Sequence, residues 1–289
     1  MMRLAPGRPR QAVRFKKSDE PVRKVGMDMR VGVFGAGGRM GAEVCRSVAD
    51  DPDLTLVAAI DPFHAGIDLR QATGVDVPGI QLSSAPDALT RAGAEVAIDF
   101  THHDASIENL RWCAENGIHA VVGTTGFSAD DVAELRALFV KSNCLIAPNF
   151  AIGAVLMMRF AELAAPYFET AEIIEFHHDG KIDSPSGTAM ATVERMAMAK
   201  GSWPPDPTQK ETLAGARGAK GPADIRVHAV RMRGMVAHQE VILGTTGQTL
   251  VIRHDTTDRT SFMPGVILAV KKIAECPGLT VGLDAILDL

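Results

Sequence analysis

Aromatic side chains are scarce in this chain, with 2 Trp and 1 Tyr among 289 residues. So few stacking platforms argue against a protein that tracks single-stranded nucleic acid. A basic surplus is missing too: the formal net charge of −5 speaks against a general polyanion binder. The 4 cysteines, Cys45, Cys113, Cys144 and Cys276, are scattered without a C-x-x-C pair, so neither a zinc site nor a disulfide framework is expected. No apolar run reaches the ~18 residues that a membrane-spanning helix requires. These absences lead to the expectation of a cytoplasmic protein with reduced thiols and no nucleic-acid, membrane or metal partner.

What remains is a globular composition, 46% hydrophobic and 22% charged, long enough for one large or two medium domains. The charge is uneven. Arg3, Arg8, Arg10, Arg14, Lys16, Lys17, Arg23 and Lys24 face only Asp19, Glu20 and Asp28 in residues 1–28, so the rest of the chain is strongly acidic. This basic leader has no apolar core of a secretory signal. A disordered tail, an organelle-type presequence and an upstream start codon are the candidates. The last is favoured, because the first strand begins immediately after Met29.

Residues 30–34 form a short apolar strand that runs into Gly35-Ala36-Gly37-Gly38-Arg39-Met40-Gly41 and then an amphipathic helix with Val44, Val48 and Ala49 on one side. Strand, glycine turn and helix make the context of a dinucleotide fingerprint, in which backbone amides and the helix dipole meet a pyrophosphate. The G-x-G-x-x-G frame from Gly35 puts Met40 at the third glycine, whereas G-x-x-G-x-x-G through Gly35, Gly38 and Gly41 fits. A second strand, 54–60, ends in Asp61, an acceptor suited to the adenosine ribose hydroxyls of NAD; a turn-capping aspartate is the plainer alternative. Pro62 stands where an NADP site would often offer arginine, and Arg39 could partly do that work. NADH is the first choice of cofactor and NADPH the second.

Three further strand-like runs, 95–101, 120–126 and 145–150, are separated by helical stretches near 104–117 and 128–142. Continuous apolar strands of this kind belong to a buried parallel sheet, and its ligands collect at the carboxyl ends. Phe100-Thr101, Gly123-Thr124-Thr125 and Ala147-Pro148-Asn149-Phe150 are thereby expected around one crevice, at the nicotinamide. The fold class is α/β: a Rossmann-like domain over 29–150, to which 261–289 returns, and a second α+β domain over 151–260. That second domain is predicted from a helix at 152–168, a strand at 171–177, a helix at 187–200, a long Gly/Pro-rich loop or lid at 201–223, a strand at 225–232 and a hairpin of 239–244 with 248–254. One helix on a mostly four-stranded mixed sheet results.

The segment Glu175-Phe-His-His-Asp-Gly-Lys-Ile-Asp-Ser-Pro-Ser-Gly-Thr188 carries the chemistry. Adjacent strand residues point to opposite faces, so His177 and His178 do different jobs unless the strand ends between them. Asp179-Gly180 ends it and puts His178 and Lys181 on a loop. Ser184 or Ser186 can cap the next helix, and Pro185 suits its first turn. Ser186-Gly187-Thr188 then offers backbone amides to an anion. With Lys181 and His178 beside it, the natural ligand is a small carboxylate or dicarboxylate. His177 is a candidate general acid or base, since imidazole titrates near neutrality.

Over 29–289 the chain resembles the 4-hydroxy-tetrahydrodipicolinate reductases (dihydrodipicolinate reductases). The resemblance rests on Gly35–Gly41, Val122-Gly-Thr-Thr-Gly126, Ala147-Pro-Asn-Phe150 and, most specifically, Glu175–Thr188. It implies NAD(P)H-dependent reduction of a cyclic dicarboxylate on the diaminopimelate route to lysine. His177 would be the proton donor, Lys181 a second donor, and His178, Gly187 and Thr188 binders of the substrate carboxylates. Gly35 to Met40, Asp61, Gly123 to Thr125 and Ala147 to Phe150 would hold the cofactor. A homotetramer joined through the second sheet is implied as well. An aspartate or homoserine dehydrogenase would share the glycine turn but not the His-His-x-x-Lys segment. A nucleotide-sensing regulator would need a DNA-reading module that is not seen.

Overall fold

The computed structural model describes residues 28–287, so the leader, Asp28 apart, lies outside the described residues. The first half alternates strand and helix: β1 (Met29–Phe34), α1 (Arg39–Asp50), β2 (Leu54–Ile60), α2 (Leu69–Thr73), β3 (Leu82–Ser83), α3 (Asp87–Arg91), β4 (Val96–Asp99), α4 (His103–Asn116), β5 (His119–Val122), α5 (Ala129–Leu138) and β6 (Cys144–Ile146). Together with β12 (Leu279–Val281) these strands build a seven-stranded sheet in the order β12-β6-β5-β4-β1-β2-β3. Every pair in it is parallel.

Alternation along β1 explains the two layers: Val31 and Val33 enter one core, while Phe34 enters the other with Ile60, Leu110 and Leu135. On α1 the buried stripe is Gly41, Val44, Cys45 and Val48. Ala49, expected on that stripe, is exposed. At 100° per residue it falls beyond the edge of the face that Cys45 completes.

β6 leads into α6 (Ile152–Ala164), β7 (Thr170–His177), α7 (Gly187–Lys200), β8 (Ala219–Lys220), β9 (Arg226–Arg231), β10 (Ala237–Thr245) and β11 (Gln248–Thr256). The second sheet has the order β11-β10-β7-β9-β8 and is mixed, with β7 and β9 parallel and the remaining pairs antiparallel. The fifth strand, β8, is two residues inside the segment read as a loop. It lacks alternating apolar residues, and both of its residues are exposed. Arg217 holds the same segment to the sheet by an ion pair to Glu172 of β7, and a second pair, to Asp206, braces the segment internally.

The chain then returns. α8 (Met263–Lys272) packs on α1, and Lys271 Nζ lies 2.8 Å from carboxylates of both Asp51 and Asp53. β12 continues the first sheet beside β6. One apolar cluster runs from Val33 and Val44 through Met157 and Val266 to Ile173, Val193 and Val241, so the two sheets share a core.

Candidate active site

In the first sheet β1 and β4 are neighbours although successive connections leave them in opposite directions. A ligand crevice opens at such a switch point, beyond the carboxyl ends of the strands. A cavity of about 320 Å³ lies there, lined by Gly35, Gly38, Asp61, Phe63, Phe100 and Thr101 among others. The glycines are dictated by close approach. Gly35 has φ +70°, and a Cβ on Gly41 would lie 2.0 Å from the Gly35 carbonyl oxygen. Gly41 rather than Gly38 is thus the glycine that lets α1 start against β1.

The amides of the turn are not all available to a ligand. Gly35 and Ala36 N–H donate to Ile60 O, Gly38 N–H to Gly35 O, and Gly37 N–H to Asp61 Oδ2 at 2.9 Å. The N–H groups at the opening of α1, those of Arg39 and Met40, precede any i−4 acceptor of the helix and are left without an intrahelical partner. Arg39 is exposed, whereas Met40 packs on the core. Asp61 caps the turn at 62–64, accepting from Phe63 N–H at 3.0 Å, with His64 Nδ1 at 3.1 Å, and it also lines the cavity.

Thr124 is committed inward, its Oγ1 donating to Asp99 Oδ1 at 2.8 Å. Asp99 is 1% exposed and also accepts from Thr101 N–H and Asn109 Nδ2, so one carboxylate knits the ends of β4 and β5. Thr125 is exposed. Gly123 faces the Phe100 ring, which a Cβ would meet at 2.1 Å. Ala147 and Phe150 are core residues, so only their backbone can serve a ligand, whereas Pro148 and Asn149 line a second cavity.

That second cavity, about 190 Å³, lies between the sheets and is shared by Pro148, Asn149, His177, Ser186, Thr188 and His254 among others. Asn149 Nδ2 donates to Thr188 Oγ1 at 3.3 Å, joining the first sheet to the helix that follows the His-His segment. Ser186 is the N-cap of α7, its Oγ accepting from Ala189 N–H at 3.2 Å. Pro185 therefore precedes the cap instead of sitting in the first turn, and Ser184 does not cap. Gly187 and Thr188 are the first two residues of α7, with free helix-end amides.

The strand ends at His177, and residues 178 to 180 are exposed while Lys181 is half-buried. His178 is exposed, and Lys181 Nζ is held by Asp183 at 2.7 and 2.8 Å. Neither lines the cavity as His177 does. Burial holds the His177 pKa below its ordinary value; the hydrogen bond that its Nδ1 donates to Glu175 works against this, and the charges of Lys181 and Arg231 reinforce it.

Sequence reading did not find the groups that support His177. Glu175 is fully buried and accepts from His177 Nδ1 at 2.5 Å, from Ser186 N–H at 3.2 Å, and from Nη1 and Nη2 of Arg231, each at 2.8 Å. Gln239, paired with Glu175 across β10, donates to Thr192 Oγ1 at 2.7 Å. A signal was present: Ile173, Glu175 and His177 share one face of β7, and an acid in phase with inward apolar residues is the anomaly to follow. Burial pushes the Cys45 thiol up to about 12, so it offers no thiolate nucleophile.

With this geometry in hand, the comparisons with known proteins agree among themselves. Residues 29–150 match the family model described as dihydrodipicolinate reductase, N-terminus, and residues 153–287 its C-terminus. The 4-hydroxy-tetrahydrodipicolinate reductase of Mycolicibacterium vanbaalenii is 52% identical over 265 residues, 90% of this chain and 100% of that protein. The Nocardia farcinica protein of the same name is 49% identical over 270 residues, 91% of this chain and 100% of its own length. A dipicolinate-bound dihydrodipicolinate reductase from Paenisporosarcina superposes with a TM-score of 0.79 at 39% identity, covering 90% of this chain and 99% of that one. An amine dehydrogenase from Mycobacterium smegmatis, at 17% identity and a TM-score of 0.63, shares the fold. Both halves, their order and the sheets they build make this chain a member of the dihydrodipicolinate reductase family.

Proposed function

We propose that His177 supplies the proton, with Lys181 as a second donor, in the reaction of this family, the nicotinamide-dependent reduction of 4-hydroxy-tetrahydrodipicolinate in lysine biosynthesis. The observation that carries the reading is the shared cavity: His177, the N-terminus of α7 and the strand-end residues Pro148 and Asn149 all border it. The backbone amides from Ser186 to Thr188 would grip one carboxylate of the substrate, aided by the dipole of a 14-residue helix. His178 and Lys181 would take the other carboxylate, with Lys181 exchanging Asp183 for it.

A dinucleotide would enter the first cavity against the glycine turn. Gly37 is packed on Asp61 and His64, where a Cβ would lie 2.5 Å from His64 Nδ1 and 2.7 Å from Asp61 Oδ2, so the turn keeps its shape only with glycine there. The Arg39 and Met40 amides would hold the pyrophosphate, Asp61 the ribose, and the backbone at Gly123–Thr125 and Ala147–Phe150 the nicotinamide end. When bound, the cofactor supplies hydride from its nicotinamide ring. Asp61-Pro62 beside the ribose position favours NADH, with NADPH second.

On the substrate side, loss of water leaves a conjugated imine, and hydride addition makes an enamine-like carbon that needs a proton. His177 Nδ1 is engaged by Glu175, so Nε2 is the atom that holds and delivers it. A positioned acid of this kind is worth roughly 10²–10⁴ in rate. Assembly as a homotetramer through the second sheet would bury the exposed Leu250 and Val251 of β11, which pairs only with β10 among the described residues. The test generates substrate in situ with the preceding synthase and follows NADH and NADPH oxidation separately. His177→Gln should cut kcat about 10²-fold or more with the NADH Kd kept; equal turnover in both proteins removes the role.

A further inference from the structure

The buried carboxylate of Glu175 receives donors from three parts of the second domain. Register places His177 opposite Arg231 on β9, and Glu175 two residues before it on the same face of β7. One oxygen takes His177 Nδ1 and Arg231 Nη1; the other takes Arg231 Nη2 and the Ser186 amide. Arg231 Nη2 also donates to Asp183 O at 2.8 Å, so the same guanidinium holds the loop that carries Lys181. A carboxylate taken out of water costs several kcal/mol unless paired, and here it is met by a bidentate guanidinium.

We propose that Glu175 is a positioning residue that fixes His177 with Nδ1–H inward and Nε2 toward the substrate cavity, and that Arg231 balances the Glu175 charge so that His177 remains free to exchange its proton. Without Arg231, the imidazolium would be the sole cation in contact with a buried carboxylate and would stay locked onto it. With Arg231 the carboxylate is neutralised whatever the state of the ring. A proton donor has to be recharged on every turnover, and it works best when its two forms are close in free energy at the working pH.

The other groups around His177 do not duplicate this role. Lys181, on the loop, is paired with Asp183; His238, on β10, is paired with Asp255 at 2.8 Å; His254 borders the cavity from β11. Ala154 and Met157 of α6 and Thr188 of α7 bring no charge.

The inference builds on the reading of His177 as proton donor, so its test has an arm that does not depend on turnover. Histidine ring resonances are followed by NMR against pH in the protein without cofactor, with His177 assigned by His177→Gln. Glu175→Gln removes the group that favours the imidazolium and should lower the His177 midpoint by about one unit or more. Arg231→Gln removes a cation that disfavours it and should raise the midpoint, while Arg231→Lys keeps the charge and should stay near the parent. Kinetics add a second arm: the alkaline limb of kcat should move to lower pH in Glu175→Gln and to higher pH in Arg231→Gln.

A purely structural role would lower stability or kcat without shifts of opposite sign, so midpoints that stay put or move together overturn the proposal. Glu175→Gln risks failing to fold, and in that case the rise in Arg231→Gln and its absence in Arg231→Lys decide alone. If the midpoints shift as stated but His177→Gln keeps full turnover, the functional reading has failed and the positioning stands.

Discussion

If Asp61 holds the ribose as proposed, Asp61→Asn should move the cofactor preference, and the size of the effect follows from what its carboxylate touches. Asp61 is 6% exposed, and its two oxygens accept from the Gly37 and Phe63 amides. A 2′-phosphate held at about 5 Å would meet a repulsion of about 3 kcal/mol per unit charge at an effective dielectric constant of ~20. Screening at the cavity mouth and the exposed Arg39 reduce this, leaving about 2–3 kcal/mol against NADPH. In Asp61→Asn that repulsion disappears. One side-chain oxygen also becomes an amide nitrogen, so either the Gly37 or the Phe63 contact is lost, at about 1 kcal/mol for both cofactors alike. The ratio of kcat/KM for NADPH to that for NADH should therefore rise by about 30- to 150-fold, while kcat/KM for NADH falls several-fold. The assay is initial-rate kinetics with each cofactor, supported by direct Kd measurement from nicotinamide fluorescence. A ratio within threefold of the parent, in a protein whose circular dichroism is unchanged, would refute the placement of the ribose beside Asp61.

Two further outcomes test the supports of the site. Gly41→Ala puts a Cβ 2.0 Å from Gly35 O, which only backbone movement can relieve; NADH affinity and melting temperature should fall together, and a variant with parental values of both would show that α1 can shift freely. Asp131 N–H and carboxylate form a capping box with Ser128 at the start of α5, and hydrogen bonds from His103 and Ser128 depress its pKa to about 2. Because the folded value lies below the unfolded one, its stabilising contribution is present above about pH 4 and is lost as pH falls toward 2. Asp131→Asn should accordingly lower the melting temperature at pH 7 and make little difference near pH 2; an equal loss at both pH values would contradict the ionic origin.

Much of the fold was legible because parallel strands buried on both faces are unbroken apolar runs, as in Val96–Ile98 of β4 and Ala120–Val122 of β5. α7 is also readable from its own residues, since a serine cap and the glycine at its end bound it. The sequence did not announce β3, β8 or β12, each two or three residues long and held by pairing with a neighbour instead of by a pattern of its own. The cap of α7 stayed open between Ser184 and Ser186 until the backbone showed which hydroxyl reaches Ala189.

The candidate site divides in the same way. His177, Ser186 and Thr188 stand within one short segment, and their chemistry, a titratable ring beside amides at a helix start, is a local property that the chain encodes by itself. Asn149 reaches Thr188 across 39 residues, and Arg231 reaches Glu175 across 56. No spacing rule predicts such partners, because they depend on which strands lie side by side. Sequence alone determined the kinds of groups, the glycine turn and the order of strand and helix, since these follow from periodicity and local conformational cost. Tertiary structure alone decided that Gly41 rather than Gly38 admits α1, that Asp61 holds the turn it faces, and that a buried glutamate matched by arginine stands behind His177. Burial and charge pairing are properties of what surrounds a residue, and strand order supplies those surroundings.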